Sequence, residues 1–129
     1  TMQENPTYEN IVDTLTSFFE KGKYILQKTV KGDIILDPGI GFGKSVEDNL
    51  TLLKALPIFR DLGCPVLIGT SNKSFIGHIT GRPPQDRLAG SLASQLWAIE
   101  NGASIIRCHK VREMKEAMMI WREIKAIQL

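Results

Sequence analysis

The chain has 129 residues, 43% hydrophobic and 23% charged, with a formal net charge of +2. That length suffices for one domain with a real core. The small, scattered charge gives no basic stripe with interleaved aromatics, which argues against a nucleic-acid or anionic-membrane partner.

Two cysteines, Cys64 and Cys108, stand alone, with no CxxC and no His at ligand spacing. They read as reduced, buried thiols and not as a zinc site. No signal peptide opens the chain and no apolar run approaches the ~20 residues of a membrane span, so a cytoplasmic protein is expected.

In chain order, Ile11, Val12, Leu15, Phe18, Phe19, Tyr24, Ile25 and Leu26 recur at near-helical spacing and predict a helix over 7–28, weakened at Gly22. "DIIL" (33–36) predicts a short buried strand that runs into Asp37, Pro38 and the glycines 39, 41 and 43. Ser45 has the form of an N-cap, with Asp48 in the first turn of a helix striped by Leu50, Leu53 and Leu56. Pro57 ends or bends that helix.

"PVLIG" (65–69) predicts a second strand, followed by the polar loop "TSNKS" and a short helix from Ser74. A longer helix over about 85–101 carries Leu88, Leu92, Leu96 and Ile99, with Gly102 as its C-terminal stop. "SIIRC" (104–108) predicts a third strand. A last helix over 112–127 carries Met114, Ala117, Met118, Trp121 and Ile124 on one side, its methionines serving as core.

Strands alternating with helices of this length predict an α/β fold with a parallel sheet covered by helices. Each strand turns polar at its end: Asp37 after the first, Thr70–Lys73 after the second, Arg107 and His109 in and after the third. The opening "TMQENP" has the form of the tail of an earlier strand. In a parallel sheet all carboxyl ends lie along one edge, so these groups are expected to meet there.

Asp accepts from ring N–H groups, Lys donates to carbonyls, and an Arg fork beside His suits phosphate or pyrophosphate. Taken singly, each has a plainer reading. Asp37 before Pro38 can start an Asx turn, Lys73 can be a solvated loop cation, and His109 can be structural. Arg107, set between apolar residues, needs a partner. His78 shows nothing near it to suggest chemistry. The loop over 37–44 is neither G-x-G-x-x-G nor a Walker A loop; its glycines supply close backbone approach and permissive φ.

The segments "DPGIGFGK" (37–44), "GTSNKSFIG" (69–77), "RLAGSLA" (87–93) and "IIRCH" (105–109), with "MQENP" (2–6), resemble dihydropteroate synthase, a pterin-binding barrel family. The resemblance runs in order over nearly the whole chain. It departs from the family at Asn72, where Arg is usual between Ser and Lys, and at Thr1, where His is usual. It implies a transferase of folate biosynthesis that joins 4-aminobenzoate to 6-hydroxymethyl-7,8-dihydropterin pyrophosphate and releases pyrophosphate, with magnesium assisting. It makes Asp37, Lys73, Arg107 and His109 the catalytic residues. Asp37, Lys73 and Gly69 would hold the pterin, Phe42 and Ser71 the aminobenzoate (the group that sulfonamides mimic), and Arg107 and His109 the pyrophosphate.

A (β/α)₈ barrel needs roughly 250 residues. The resemblance therefore implies that residues 1–129 form the C-terminal half of a TIM barrel, with about three strands and four or more helices. The magnesium ligand and further pterin groups would lie in the other half, so this piece alone is expected to turn over little or nothing. The exposed sheet face implies a homo-oligomer or pairing with the missing half-barrel. A corrinoid-linked methyltransferase of related barrel fold is the alternative, disfavoured by Arg107-x-His109 and Ser71-x-Lys73. A binding or assembly unit without catalysis is the other.

Overall fold

The computed structural model describes residues 10–129. The expected strand tail at 2–6 and the first turn expected from residue 7 lie outside the described residues. Helix α1 (Ile11–Thr29) starts where the Asn10 side chain accepts from the Asp13 N–H, 3.1 Å. It runs unbroken through Gly22. Helix α2 (Val46–Lys54) carries the predicted cap as a full capping box. Ser45 Oγ accepts from the Asp48 N–H, and the Asp48 carboxylate accepts from the Ser45 N–H. The predicted break falls at Ala55, and Pro57 sits in the first turn of α3 (Leu56–Arg60), where its missing N–H costs nothing.

Strand β1 (Leu67–Ile68), helix α4 (Ser74–Thr80), a 3₁₀ turn (Pro84–Asp86), helix α5 (Leu88–Glu100), strand β2 (Ile105–Ile106) and helix α6 (Val111–Ala126) complete the order. Gly102, at φ +116°, closes α5 as predicted. The Ala103 N–H reaches Ala98 O at 2.9 Å and the Gly102 N–H reaches Ile99 O at 3.3 Å, the paired bonds of a left-handed helix stop.

The sheet is parallel, with Leu67 opposite Ile105 and Ile68 opposite Ile106. The predicted first strand is reduced to a single parallel bridge, Leu36 with Val66. Its ladder stops there for a physical reason. The partner segment upstream of Val66 is Pro65, which has no N–H to give, and a turn with Gly63 at φ +89°.

Among the described residues only one sheet face is covered, where coverage of both was expected. Leu36, Val66 and Ile68 are buried against the helices, whereas Ile35 and Ile105, on the opposite face, are exposed. The core behind the covered face centres on Leu52, Leu56, Phe59, Phe75, Ile76 and Ala98. Phe59 meets Phe19 of α1 edge-on, with ring centroids 5.5 Å apart.

Helix stripes depart from expectation in the same direction. On α1 only Ile11 and Phe19 are buried, while Phe18, Tyr24 and Ile25 are open. On α6 Met114 is buried and Ala117, Met118 and Trp121 of the expected side are half-buried, but Ile124 is exposed, as is Met119, which was expected to serve as core. On α5 the buried positions are Ser91, Gln95 and Ala98 instead of the leucine stripe. Among the described residues no helix is long and apolar enough to cross a membrane.

Candidate functional site

Strand alternation decides which polar residues reach the open face. Asp37 follows buried Leu36, Gly69 follows buried Ile68, and Arg107 follows Ile106, so all three share the face of Ile35 and Ile105. Thr70, one residue further, turns to the helix layer. It is fully buried and its Oγ1 accepts from Ser94 Oγ of α5 at 2.7 Å.

Asp37, Phe42, Gly69, Ser71, Lys73, Arg107 and His109 line one cleft of about 450 Å³, together with Cys108. Every site residue expected from the sequence is therefore at this one place. Cys108 was expected only as a buried thiol. It is half-buried and free, as is Cys64.

Arg107 lies flat over Gly69. A Cβ at that position would stand 2.6 Å from its Nη2. Arg107 Nη1 donates to Asp37 Oδ2 at 3.3 Å; the guanidinium is half-exposed, so the charge expected to need a partner is met by solvent as well. Asp37 Oδ1 meanwhile accepts from the Gly39 N–H at 2.9 Å. The Asx turn and the cleft-facing carboxylate are thus two uses of one side chain.

The glycine loop folds over the opposite wall. Gly39, Gly41 and Gly43 all have positive φ, at +73°, +90° and +61°. Buried Asn49 of α2 holds the loop, its Oδ1 accepting from the Gly41 N–H at 2.8 Å. Lys44 Nζ donates to Gly39 O and Phe42 O, both at 2.9 Å. Partial burial pushes the Lys44 ammonium below its ordinary pKa, and the Asp37 and Asp48 carboxylates oppose that shift. Lys73 crosses the loop at Gly41 and sets its ammonium 4.2 Å from the centre of the exposed Phe42 ring.

Ser71 and His109 form a pair 38 residues apart. The His109 N–H donates to Ser71 Oγ at 3.3 Å, and Ser71 Oγ lies 2.7 Å from His109 Nδ1. With the backbone bond using an Oγ lone pair, the hydroxyl proton is free for Nδ1. That arrangement fits the imidazole tautomer carrying its proton on Nε2. The cleft therefore offers one carboxylate, an ammonium, a guanidinium and an imidazole donor around an aromatic ring. This set suits a ligand with a hydrogen-bonding heterocycle and an anionic group.

Sequence reasoning missed Asn49 and the contacts of Lys44. An Asn four residues past a predicted N-cap gives no sign of where it points.

A family profile described as pterin binding enzyme matches residues 1–109. The bifunctional dihydropteroate synthase/dihydropteroate reductase of Helicobacter pylori is 44% identical over 124 residues, 96% of this chain and 33% of that protein. A structure of dihydropteroate synthase from Xanthomonas albilineans with 4-aminobenzoic acid superposes with a TM-score of 0.92 at 37% identity, covering 95% of this chain and 46% of that one. The same enzyme with 7,8-dihydropteroate superposes with a TM-score of 0.90 at 38% identity, over 95% of this chain and 48% of that one. The chain thus spans between a third and half the length of these relatives. With the profile covering most of its length and carrying the cleft residues with it, the chain belongs to the pterin binding enzyme family.

Proposed function

We propose that residues 1–129 are the C-terminal half of a (β/α)₈ dihydropteroate synthase barrel. The whole enzyme would join 4-aminobenzoate to 6-hydroxymethyl-7,8-dihydropterin pyrophosphate, giving 7,8-dihydropteroate and pyrophosphate. The observation that carries this reading is the convergence of Asp37, Lys73, Arg107 and His109 on one cleft although up to 72 positions separate them. The relatives' complexes with 4-aminobenzoic acid and 7,8-dihydropteroate support it.

In this reading Asp37 accepts hydrogen bonds from the pterin ring, Lys73 donates to its carbonyl and ring nitrogen, and Gly69 lets the ring lie close. Arg107 and His109 hold the pyrophosphate. Loss of that leaving group breaks the carbon–oxygen bond and leaves a cation stabilised by the pterin, which the arylamine attacks. Phe42 and Ser71 line the aminobenzoate side, the one that sulfonamides would compete for. The chain's work is positioning and charge stabilisation.

Among the described residues no group of three or more His, Cys, Asp and Glu side chains is placed to hold a metal ion. The magnesium implied by the family resemblance would take its ligands from the other half of the barrel and would supply charge stabilisation to the departing pyrophosphate. The free thiols Cys64 and Cys108 suit a reducing, cytoplasmic setting.

The open sheet face, with Ile35 and Ile105 bare, calls for a cover: the other half-barrel or a second copy of this chain. Turnover of the pterin pyrophosphate and 4-aminobenzoate should be absent or very weak for this chain alone and appear when the N-terminal half is added. Robust turnover by the isolated chain would refute the half-barrel reading. Pyrophosphate binding that is indifferent to Arg107→Ala would refute the assignment of the site. Sedimentation showing a clean monomer at high concentration would refute self-association.

A further inference from the structure

The segment "RLAGSLA" (87–93) carries part of the family resemblance but no role in the chemistry above. We propose that it is a clamp that sets the Ser71–Asn72–Lys73 turn, with Arg87, Ser91 and nearby Ser94 as positioning residues for the cleft. The central observation is Asn72, the one non-glycine residue with positive φ among those described, at +59°. A left-handed conformation costs an L-residue about 1–2 kcal/mol, less for Asn, and persists where its surroundings hold it.

What holds Asn72 comes from the start of α5 on both sides of its backbone. Its N–H donates to Ser91 Oγ at 2.9 Å, and its carbonyl accepts from Arg87 Nη1 at 2.9 Å. Ser91 is itself buried and anchored, donating to Arg87 O at 2.7 Å. Arg87 Nε donates to Arg82 O at 3.0 Å, which fixes the guanidinium plane. Ser94 extends the clamp by one turn, reaching Thr70 Oγ1.

The glycines of this region serve the same contact. A Cβ at Gly77 of α4 would collide with the Arg87 guanidinium, and one at Gly90 of α5 would collide with Ile76. This also explains why α5 buries Ser91 where a leucine stripe was expected: that face is built to bond a turn.

The consequence reaches the cleft through single steps. Ser71 and Lys73 flank Asn72, so fixing its backbone aims both side chains. Ser71 then bonds His109, and Lys73 lies over Phe42. Arg87 and Ser91 touch neither His109 nor the cleft, so they act on it through Asn72.

The effect on ligand binding rests on the proposed function, but the geometric claim can be read without any ligand. The chain has two histidines, His78 and His109, so its imidazole ¹⁵N spectrum resolves each. In the parent chain His109 should show a protonated Nε2 and a hydrogen-bonded Nδ1. Ser91→Ala and Arg87→Ala should move the His109 signals toward the mixed tautomers of exposed His78 while the chain still unfolds cooperatively. Arg87→Lys should restore part of the shift, and Lys125→Ala, in the last turn of α6 where it pairs with Glu100, should cause none. Inorganic pyrophosphate affinity should fall about tenfold in Ser91→Ala, the size of one lost charge-assisted contact.

Folded Ser91→Ala and Arg87→Ala chains with an unchanged His109 spectrum would overturn the clamp. Should either variant fail to fold, the parent answers alone: an Asn72 amide that exchanges with solvent as fast as an open loop would overturn it too. A His109 shift in a chain that never binds pyrophosphate would leave the clamp standing and remove the functional reading instead.

Discussion

Gly69→Ala separates the site from the fold. Gly69 is buried, and an added Cβ would stand 2.6 Å from Arg107 Nη2 and 2.9 Å from its Cζ and Nε. Ordinary contact begins near 3.4 Å, so the guanidinium must withdraw by roughly 1 Å. It is the free end of a long side chain and half-exposed, so it can do so without moving the backbone. What is lost is the 3.3 Å ion pair with Asp37, whose partners are 52% and 41% exposed. A pair that open contributes about 0–1 kcal/mol, so the thermal midpoint should barely change. Anion binding should suffer far more, because Arg107 no longer presents its fork where Gly69 had let it lie. Losing a hydrogen bond to a charged group costs about 1.5–3 kcal/mol, or about 10- to 150-fold in affinity. Calorimetric titration with inorganic pyrophosphate, beside a melting curve, reads both quantities. Unchanged affinity with an unchanged melt would refute the placement of the anion at Arg107. A large loss of stability would refute the claim that Arg107 is free to retreat.

Asn49→Ala should destabilise the chain by about 1–3 kcal/mol in urea, because the Gly41 N–H loses its buried acceptor. Amide exchange over 39–43 should quicken with it, and an unaltered exchange rate would show that the loop is held by something else. Asn72→Gly should leave stability within ~0.5 kcal/mol, whereas Asn72→Val should cost about 1–2 kcal/mol, since only the second adds a branched side chain at φ +59°. Equal midpoints for the two would contradict the left-handed turn. Lys44, pushed down chiefly by burial, holds its proton less well in the folded chain than in the unfolded one. Unfolding therefore takes up protons, and stability should rise as pH climbs through the lowered folded value toward 10.5, an effect that Lys44→Met should abolish. A melt that stays flat in the parent, or that rises equally in both chains, would remove that role.

Elements with a local physical cause were legible in the sequence. The capping box at Ser45 and Asp48, the stop at Gly102 and the start of α4 at Ser74 depend on neighbours a few residues away, and they stand where predicted. Burial was less legible because it depends on what lies opposite. Ile25 of α1 and Ile124 of α6 have helical spacing, yet both are open. Ser91 and Gln95 look polar in the sequence and are buried. Strand length failed similarly: "DIIL" has strand chemistry, but Pro65 and Gly63 on its neighbour deny it a ladder.

The site was legible for a different reason. Strand ends in a parallel sheet converge whatever the loops do, so the edge of Asp37, Gly69 and Arg107 follows from topology alone. Alternation then separates Thr70, aimed at Ser94, from Gly69 on the open face. What topology cannot supply is pairing within the edge. Arg107 pairs with Asp37, and both are also the groups proposed to hold the two ends of one substrate. An anion that draws Arg107 away leaves the Asp37 carboxylate short of a donor, and a heterocycle with ring N–H groups replaces it. The exchange is cheap because the pair is solvent-exposed, and it favours a ligand that carries both chemistries over one that carries either alone. Pyrophosphate and a free pterin should therefore bind this cleft more tightly together than their separate affinities predict. Simple additivity in a paired titration would show that the Asp37–Arg107 contact plays no part in recognition.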